Sequence, residues 1–163
     1  MTPLTEREIR SSFVNCSKGE AARAGLPDLD EVRWADLDFL GWPDPSGSQR
    51  AYLVLVRDGG PLGLQLRQGS GGGARSSMCQ VCITAHSGGG VALNVARKTG
   101  PAGKKGDSTG LWMCRDLACS LYVRGRKVSG AASLRETLSV EESVARLRRN
   151  LDLFVDRVLA PGT

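Results

Sequence analysis

The two cysteine pairs, Cys79-Gln80-Val81-Cys82 and Cys114-Arg115-Asp116-Leu117-Ala118-Cys119, restrict this chain more than any other feature. A CxxC lets two sulfurs converge on one ion, and a structural Zn²⁺ takes four tetrahedral nitrogen or sulfur ligands. The expectation is one structural Zn²⁺ held by Cys79, Cys82, Cys114 and Cys119. His86, four residues after Cys82, is an alternative ligand in place of one cysteine; otherwise it orients a neighbour or lies on the surface. A redox role for the CxxC alone would call for a thioredoxin-like βαβ start, and nothing upstream has that pattern. Four thiolates leave the metal no open position, so the sequence argues against an enzyme. Arg97 and Arg115 are expected to balance the negative cluster, and Cys16 stands apart as a free thiol.

A metal staple suits the rest of the composition. With 163 residues the chain is long enough for one domain, yet only 5% are aromatic and 21 are glycine. That favours short elements, many turns and a thin core. Residues 1–70 carry eight Lys/Arg against ten Asp/Glu, whereas residues 71–163 carry fourteen against seven. The basic second half suits an acidic protein or a phosphate backbone, or is simply a solvated surface. The charged start MTPLTEREIR is no signal peptide, and no apolar run approaches the roughly 20 residues of a membrane helix. A cytoplasmic protein without membrane contact is expected, in a compartment that keeps thiols reduced.

The fold class expected is α+β, a small and mostly antiparallel sheet with a zinc finger and flanking helices. Thr5-Glu6-Arg7-Glu8 is a capping box, and Ile9 and Phe13 share a helical face. Asn15 to Ala24 shows only small and polar residues. Ala51–Val56 and Leu62–Arg67 around Asp58-Gly59-Gly60-Pro61 predict a β-hairpin. Gly69 to Gly73 reads as a linker, Val91–Ala96 and Thr109–Met113 as strands, Thr99–Asp107 as a loop, and Ala118–Arg124 as a short helix. Ser139 to Glu142 is another capping box, opening a helix with Leu147, Leu151, Phe154, Val155 and Val158 in register. One domain is expected, with a helix-and-sheet portion at 1–70, a finger at 74–128 and a closing helix at 139–160. Knuckle, strand pair, helix is the order of a treble-clef zinc finger.

The string MCQVCITAHSGGGVALNVARKTGPAGKKGDSTGLWMCRDLACSLYVRGRK resembles the carboxy-terminal treble-clef zinc finger of elongation factor G-binding proteins, the family of the fusidic-acid-resistance proteins. IRSSFVNCSKGEA, WADLDFLGWPDP and RAYLVLVRDGGPLGLQLRQ resemble that domain's leading helix and sheet, so the likeness covers most of the chain. The resemblance implies a binding module that engages elongation factor G, on or off the ribosome, with zinc as a structural element. Resistance proteins carry a further amino-terminal helical domain that this sequence is too short to supply, so factor binding is the expectation and drug resistance is not. In that family the first metal ligands are either a cysteine pair or a cysteine with histidine, which leaves Cys82 and His86 both open.

The contact surface expected from the basic residues around the finger comprises Arg97, Lys98, Lys104, Lys105, Tyr122, Arg124, Arg126 and Lys127, with Tyr122 and Arg124 as interface anchors. The competing expectation packs Tyr122 beneath the finger and leaves the basic residues solvated. A monomer that binds elongation factor G and promotes its release from the ribosome is the leading function. A zinc-stabilised RNA- or ribosome-binding module is the alternative, and a zinc hydrolase ranks last.

Overall fold

The computed structural model describes residues 1–70, 76–131 and 136–162. In chain order the elements are α1 (Glu6–Ser12), α2 (Lys18–Arg23), β1 (Phe39–Pro43), β2 (Arg50–Arg57), β3 (Gly60–Gln68), β4 (Ser77–Met78), β5 (Ala85–His86), β6 (Val91–Arg97), α3 (Gly100–Lys104), β7 (Ser108–Cys114), α4 (Cys119–Val123) and α5 (Val140–Leu159). Asp58 and Gly59 both adopt positive φ, 51° and 82°. That is the left-handed two-residue turn whose twist matches an antiparallel hairpin, and it sets the register of β2 on β3 from Arg57↔Gly60 to Arg50↔Arg67.

The fold is α+β. One antiparallel sheet runs β1-β2-β3-β6-β7, and β4 and β5 form a separate two-stranded ribbon. β3 pairs with β6 through Leu66↔Ala96, Arg67↔Val95 and Gln68↔Asn94, so a single sheet joins the acidic and basic halves. The linker reading of Gly69 to Gly73 falls mostly at 71–75, outside the described residues. Buried Gln68 reinforces the junction: its amide donates to Asn94 Oδ1 at 3.3 Å and to the Arg115 carbonyl at 2.9 Å.

Alternation along the strands sends side chains to two cores. On one face Leu53, Leu55, Leu64, Leu66 and Met113 meet Leu147, Leu151, Phe154 and Val158 of α5. On the other, Tyr52, Val54 and Trp42 pack with Ile9 of α1 and the apolar segment before β1. Two glycines permit the closest approaches. A Cβ on Gly63 would stand 2.5 Å from Ser12 Oγ at the end of α1, and one on Gly41 would stand 2.6 Å from Leu117 Cβ of the finger.

Two segments differ from the sequence expectation. Lys18–Arg23 is helical because Ser17 and Glu20 form a reciprocal capping box within the segment that showed only small and polar residues. The loop expected at Thr99–Asp107 contains α3, started by Gly100-Pro101 and closed by Lys105 N–H bonds to the carbonyls of Pro101 and Ala102. The closing helix keeps its expected bounds, with Ser139 as N-cap. Among the described residues no helix is long and apolar enough to cross a membrane.

Candidate metal centre

Each cysteine pair sits on a tight loop that a neighbouring element holds in place. The ribbon pairs Ser77↔His86 and Met78↔Ala85, closing a hairpin around Cys79 and Cys82. Within it the Val81 and Cys82 amides each donate to Cys79 Sγ at 3.4 Å, and α5 clamps the loop through Asn150 Nδ2 to the Val81 carbonyl at 3.1 Å. Cys114 ends β7 and Cys119 begins α4, so its sulfur lies at the positive end of a helix. Both loops turn through left-handed residues that are not glycine, Ile83 at φ 60° and Leu117 at φ 56°. Such backbone costs on the order of 1–3 kcal/mol each and persists where the surroundings over-determine it.

The four sulfurs are buried and lie within 4.8 Å of one another. Cys79 Sγ stands 3.7 Å from Cys119 Sγ, and Cys82 Sγ 3.4 Å from Cys114 Sγ. Sulfurs around a tetrahedral zinc with bonds of about 2.3 Å are separated by roughly 3.8 Å, so the donor set fits the ion. The electrostatics agree. Hydrogen bonds from Cys114, then Cys119 and Cys82, draw the Cys79 thiol well below its ordinary value. Contact with Cys114 and the other sulfurs pushes the Cys119 thiol up. Four thiolates packed this closely repel one another unless a cation holds them. These cysteines form one structural zinc site, and the ion would hold every sulfur as thiolate.

His86 is buried beside this set, its Nε2 3.2 Å from Cys114 Sγ. It contacts one ligand sulfur and packs edge-on against Tyr122, with ring centroids 4.8 Å apart. Tyr122 itself donates to Asp116 Oδ2 at 2.8 Å, and the same carboxylate accepts the Ala118 amide and Lys127 Nζ. Asp116, inside the second cysteine loop, therefore ties that loop to α4, a role nothing in its sequence spacing announced. Arg115 Nε donates to the Gly89 carbonyl at 2.6 Å and holds the glycine-rich turn between the ribbon and β6.

The basic residues expected around the finger do not form one surface. Arg97 lines a groove that shares no residue with the cysteine cluster, contrary to its expected role in balancing the thiolates. Lys104 and Lys105 are exposed at the end of α3, and Lys98 is half-buried before it. Tyr122 and Lys127 line a different groove beside the first cysteine loop. Arg124, expected to be an interface anchor, is committed internally: it pairs with Asp38 at 2.6 Å, and the Asp38 side chain is fully buried. Arg148 of α5 binds the same carboxylate at 2.8 Å. Burial works against ionised Asp38, but hydrogen bonds and charge from Arg124 and Arg148 hold its carboxyl below the ordinary value. Arg126 stays largely exposed, 3.9 Å from Asp36.

A protein-family model described as the FBP C-terminal treble-clef zinc-finger matches residues 8–158. Among solved structures, that of the fusidic acid resistance protein FusC is similar with a TM-score of 0.50 and 18% identity. The likeness covers 80% of this chain and 49% of that one, so the chain spans about half the length of its structural neighbour. No curated protein matches the sequence.

Proposed function

Because this chain belongs to the FBP C-terminal treble-clef zinc-finger family, we propose that it is a cytoplasmic, monomeric binding module for elongation factor G that promotes release of the factor from the ribosome. The family resemblance in the finger supplies the partner. The observation that supports a binding surface is the groove of about 390 Å³ beside the first cysteine loop, walled by Met78, Ile83, Thr84, Tyr122, Lys127 and Val128. Met78 and Val128 are 40% and 84% exposed, so the groove presents apolar surface to a partner. Lys127 also lines it, paired with Asp116 at 2.6 Å, and the charge suited to an acidic factor comes from the basic balance of residues 71–163. Zinc acts at a distance in this reading. It holds the first loop against α4, and so keeps the two walls of the groove in place. With four thiolate ligands the ion offers no site for substrate, which supports binding over catalysis.

The test is size-exclusion co-elution of the zinc-loaded chain with purified elongation factor G, repeated with Lys127→Glu and after removal of the metal. Co-elution of the loaded protein, lost on stripping and weakened by the charge reversal, is the expected result. A metal-replete chain that fails to co-elute at micromolar concentrations overturns the proposal.

A further inference from the structure

The sheet face opposite α5 is covered over only part of its width. Over β1 to β3 it lies beneath α1, with Phe13 edge-on to Tyr52. Pairing carries the same face outward: Arg50↔Arg67, Arg67↔Val95 and Leu93↔Trp112 are cross-strand partners, and Arg97 lies two residues beyond Val95. Strand alternation therefore turns three arginines, two half-buried aliphatic side chains and Trp112 to one side. Trp112 is 42% exposed, and Arg50, Arg67 and Arg97 are exposed.

The arginines line a groove of about 640 Å³ together with Ser48, Gln65 and Ser108. Among the described residues no carboxylate lies within ion-pair distance of any of the three. Glu20 also reaches the groove, its carboxylate accepting the Ser17 amide at 2.8 Å and keeping its charge beside Arg50 and Arg97, so three guanidiniums share the groove with one carboxylate. Arg50 and Arg67 stand directly opposite each other, a like-charge pair that destabilises an antiparallel sheet. Within the described chain Glu20 and Asp44 act on Arg50 from beyond ion-pair distance and offset that cost only in part; an external anion would offset it further.

We propose that this open sheet face binds single-stranded nucleic acid, with phosphates along Arg50, Arg67 and Arg97 and a base stacked on Trp112. Guanidiniums recognise phosphate oxygens through paired donors, and an exposed aromatic ring on a flat sheet accepts any base by its π-face. An acidic peptide would satisfy the arginines but engages Trp112 only where it carries an aromatic or apolar residue, whereas every nucleotide carries a base. The proposal does not depend on the factor-binding reading, whose groove shares no lining residue with this one.

Fluorescence anisotropy with the zinc-loaded full chain tests it, using labelled oligouridine and oligodeoxythymidine of about 12 nucleotides, within the usual site sizes of sheet-face binders. Trp112→Ala should weaken binding about tenfold while Trp112→Phe keeps most of it. Arg67→Gln should weaken binding about fivefold and reduce the salt slope by about 0.7. It should also leave the thermal midpoint unchanged or raised, because it removes the Arg50–Arg67 repulsion. Arg7→Gln on α1 should bind as the parent does. Equal binding of both oligomers assigns the recognition to phosphate and base, and tighter binding of the ribose form adds a 2′-hydroxyl contact; either supports the proposal. No binding at low salt overturns it. So does oligouridine binding that polyglutamate displaces equally well and that Trp112→Ala leaves intact, since the face would then be a general polyanion surface.

Discussion

The two faces of the sheet are held by different means. Beneath α1 the packing of Ile9, Trp42, Tyr52 and Val54 is ordinary burial, with Tyr52 satisfied by its hydroxyl bond to Asp44 at 2.9 Å. Beneath α5 the four cysteines lie inside the same cluster as Phe154 and Leu147, so metal binding and core packing are one process there. The difference teaches that this fold has a half that hydrophobic burial can support and a half that needs an ion. The finger's ribbon has strands of two residues and its helices α3 and α4 have five each, too short to persist alone.

The strongest way to break the comparison is Cys119→Ser. Loss of a ligand should release the zinc, withdrawing on the order of 10 kcal/mol of local folding free energy. Elemental analysis should show a metal-free protein, and amide spectra should show disorder from β4 to α4 with looser packing of α5. Signals from Ile9, Tyr52 and Val54 should stay near their native positions. Cys114→Ser should behave the same way. Full zinc content with an unchanged spectrum in either variant would mean that the substituted cysteine is not a ligand the finger requires.

Asp38 tests the joint between the two halves, since it receives Arg124 of α4 and Arg148 of α5 from a position just before β1. Asp38→Asn should cost about 2–3 kcal/mol in denaturant unfolding, because Arg124 is left buried without its counter-charge while Arg148 remains in water. The folded carboxyl titrates below its ordinary 3.8, so its contribution is complete above that pH and disappears as pH falls through the lower folded value. The stability gap between parent and variant should therefore be full at neutral pH and close only below pH 3.8. Comparing the two proteins at each pH cancels the acid-driven release of zinc they share. A gap that does not change with pH would show that the Asp38 charge contributes nothing.

Ser17→Ala sharpens the comparison with the smallest effect. Losing the N-cap bond of α2 should cost about 1 kcal/mol, read as faster amide exchange in Lys18–Arg23, with zinc content untouched. Any loss of metal in this variant would mean that the apolar half and the zinc half are coupled more tightly than two separate cores allow.

The elements legible in the sequence were those whose signal is local. Capping boxes marked the starts of α1 and α5, β-prone runs between turn and loop signals marked β2, β3, β6 and β7, and Asp58-Gly59-Gly60-Pro61 marked the hairpin. α2 carries the same local signal at Ser17 and Glu20, but its short, small-residue interior gave no apolar periodicity to accompany it. α3 was hidden for a different reason: its glycines and lysines carry no helical pattern, and it forms where the chain is tied by Thr99 N–H to the Val158 carbonyl of α5 at 3.0 Å.

The sequence by itself determined that a zinc site is present, because two closely spaced cysteine pairs suit one tetrahedral ion, and it left His86 open as a ligand. It also determined that β2 and β3 form a hairpin, because a turn signal separates two β-prone runs; their register came with the left-handed turn of the folded chain. Only the tertiary structure decided which charges are free. Arg124 and Arg67 look alike along the chain, yet one is paired with a fully buried carboxylate and the other lines an open groove. Likewise Trp112, read only as part of a strand, is exposed on the outer strand β7 beyond the cover of α1. Spacing along a chain encodes what neighbouring residues can do together. Burial and ion pairing depend on partners up to 110 positions away, and only folding brings those together.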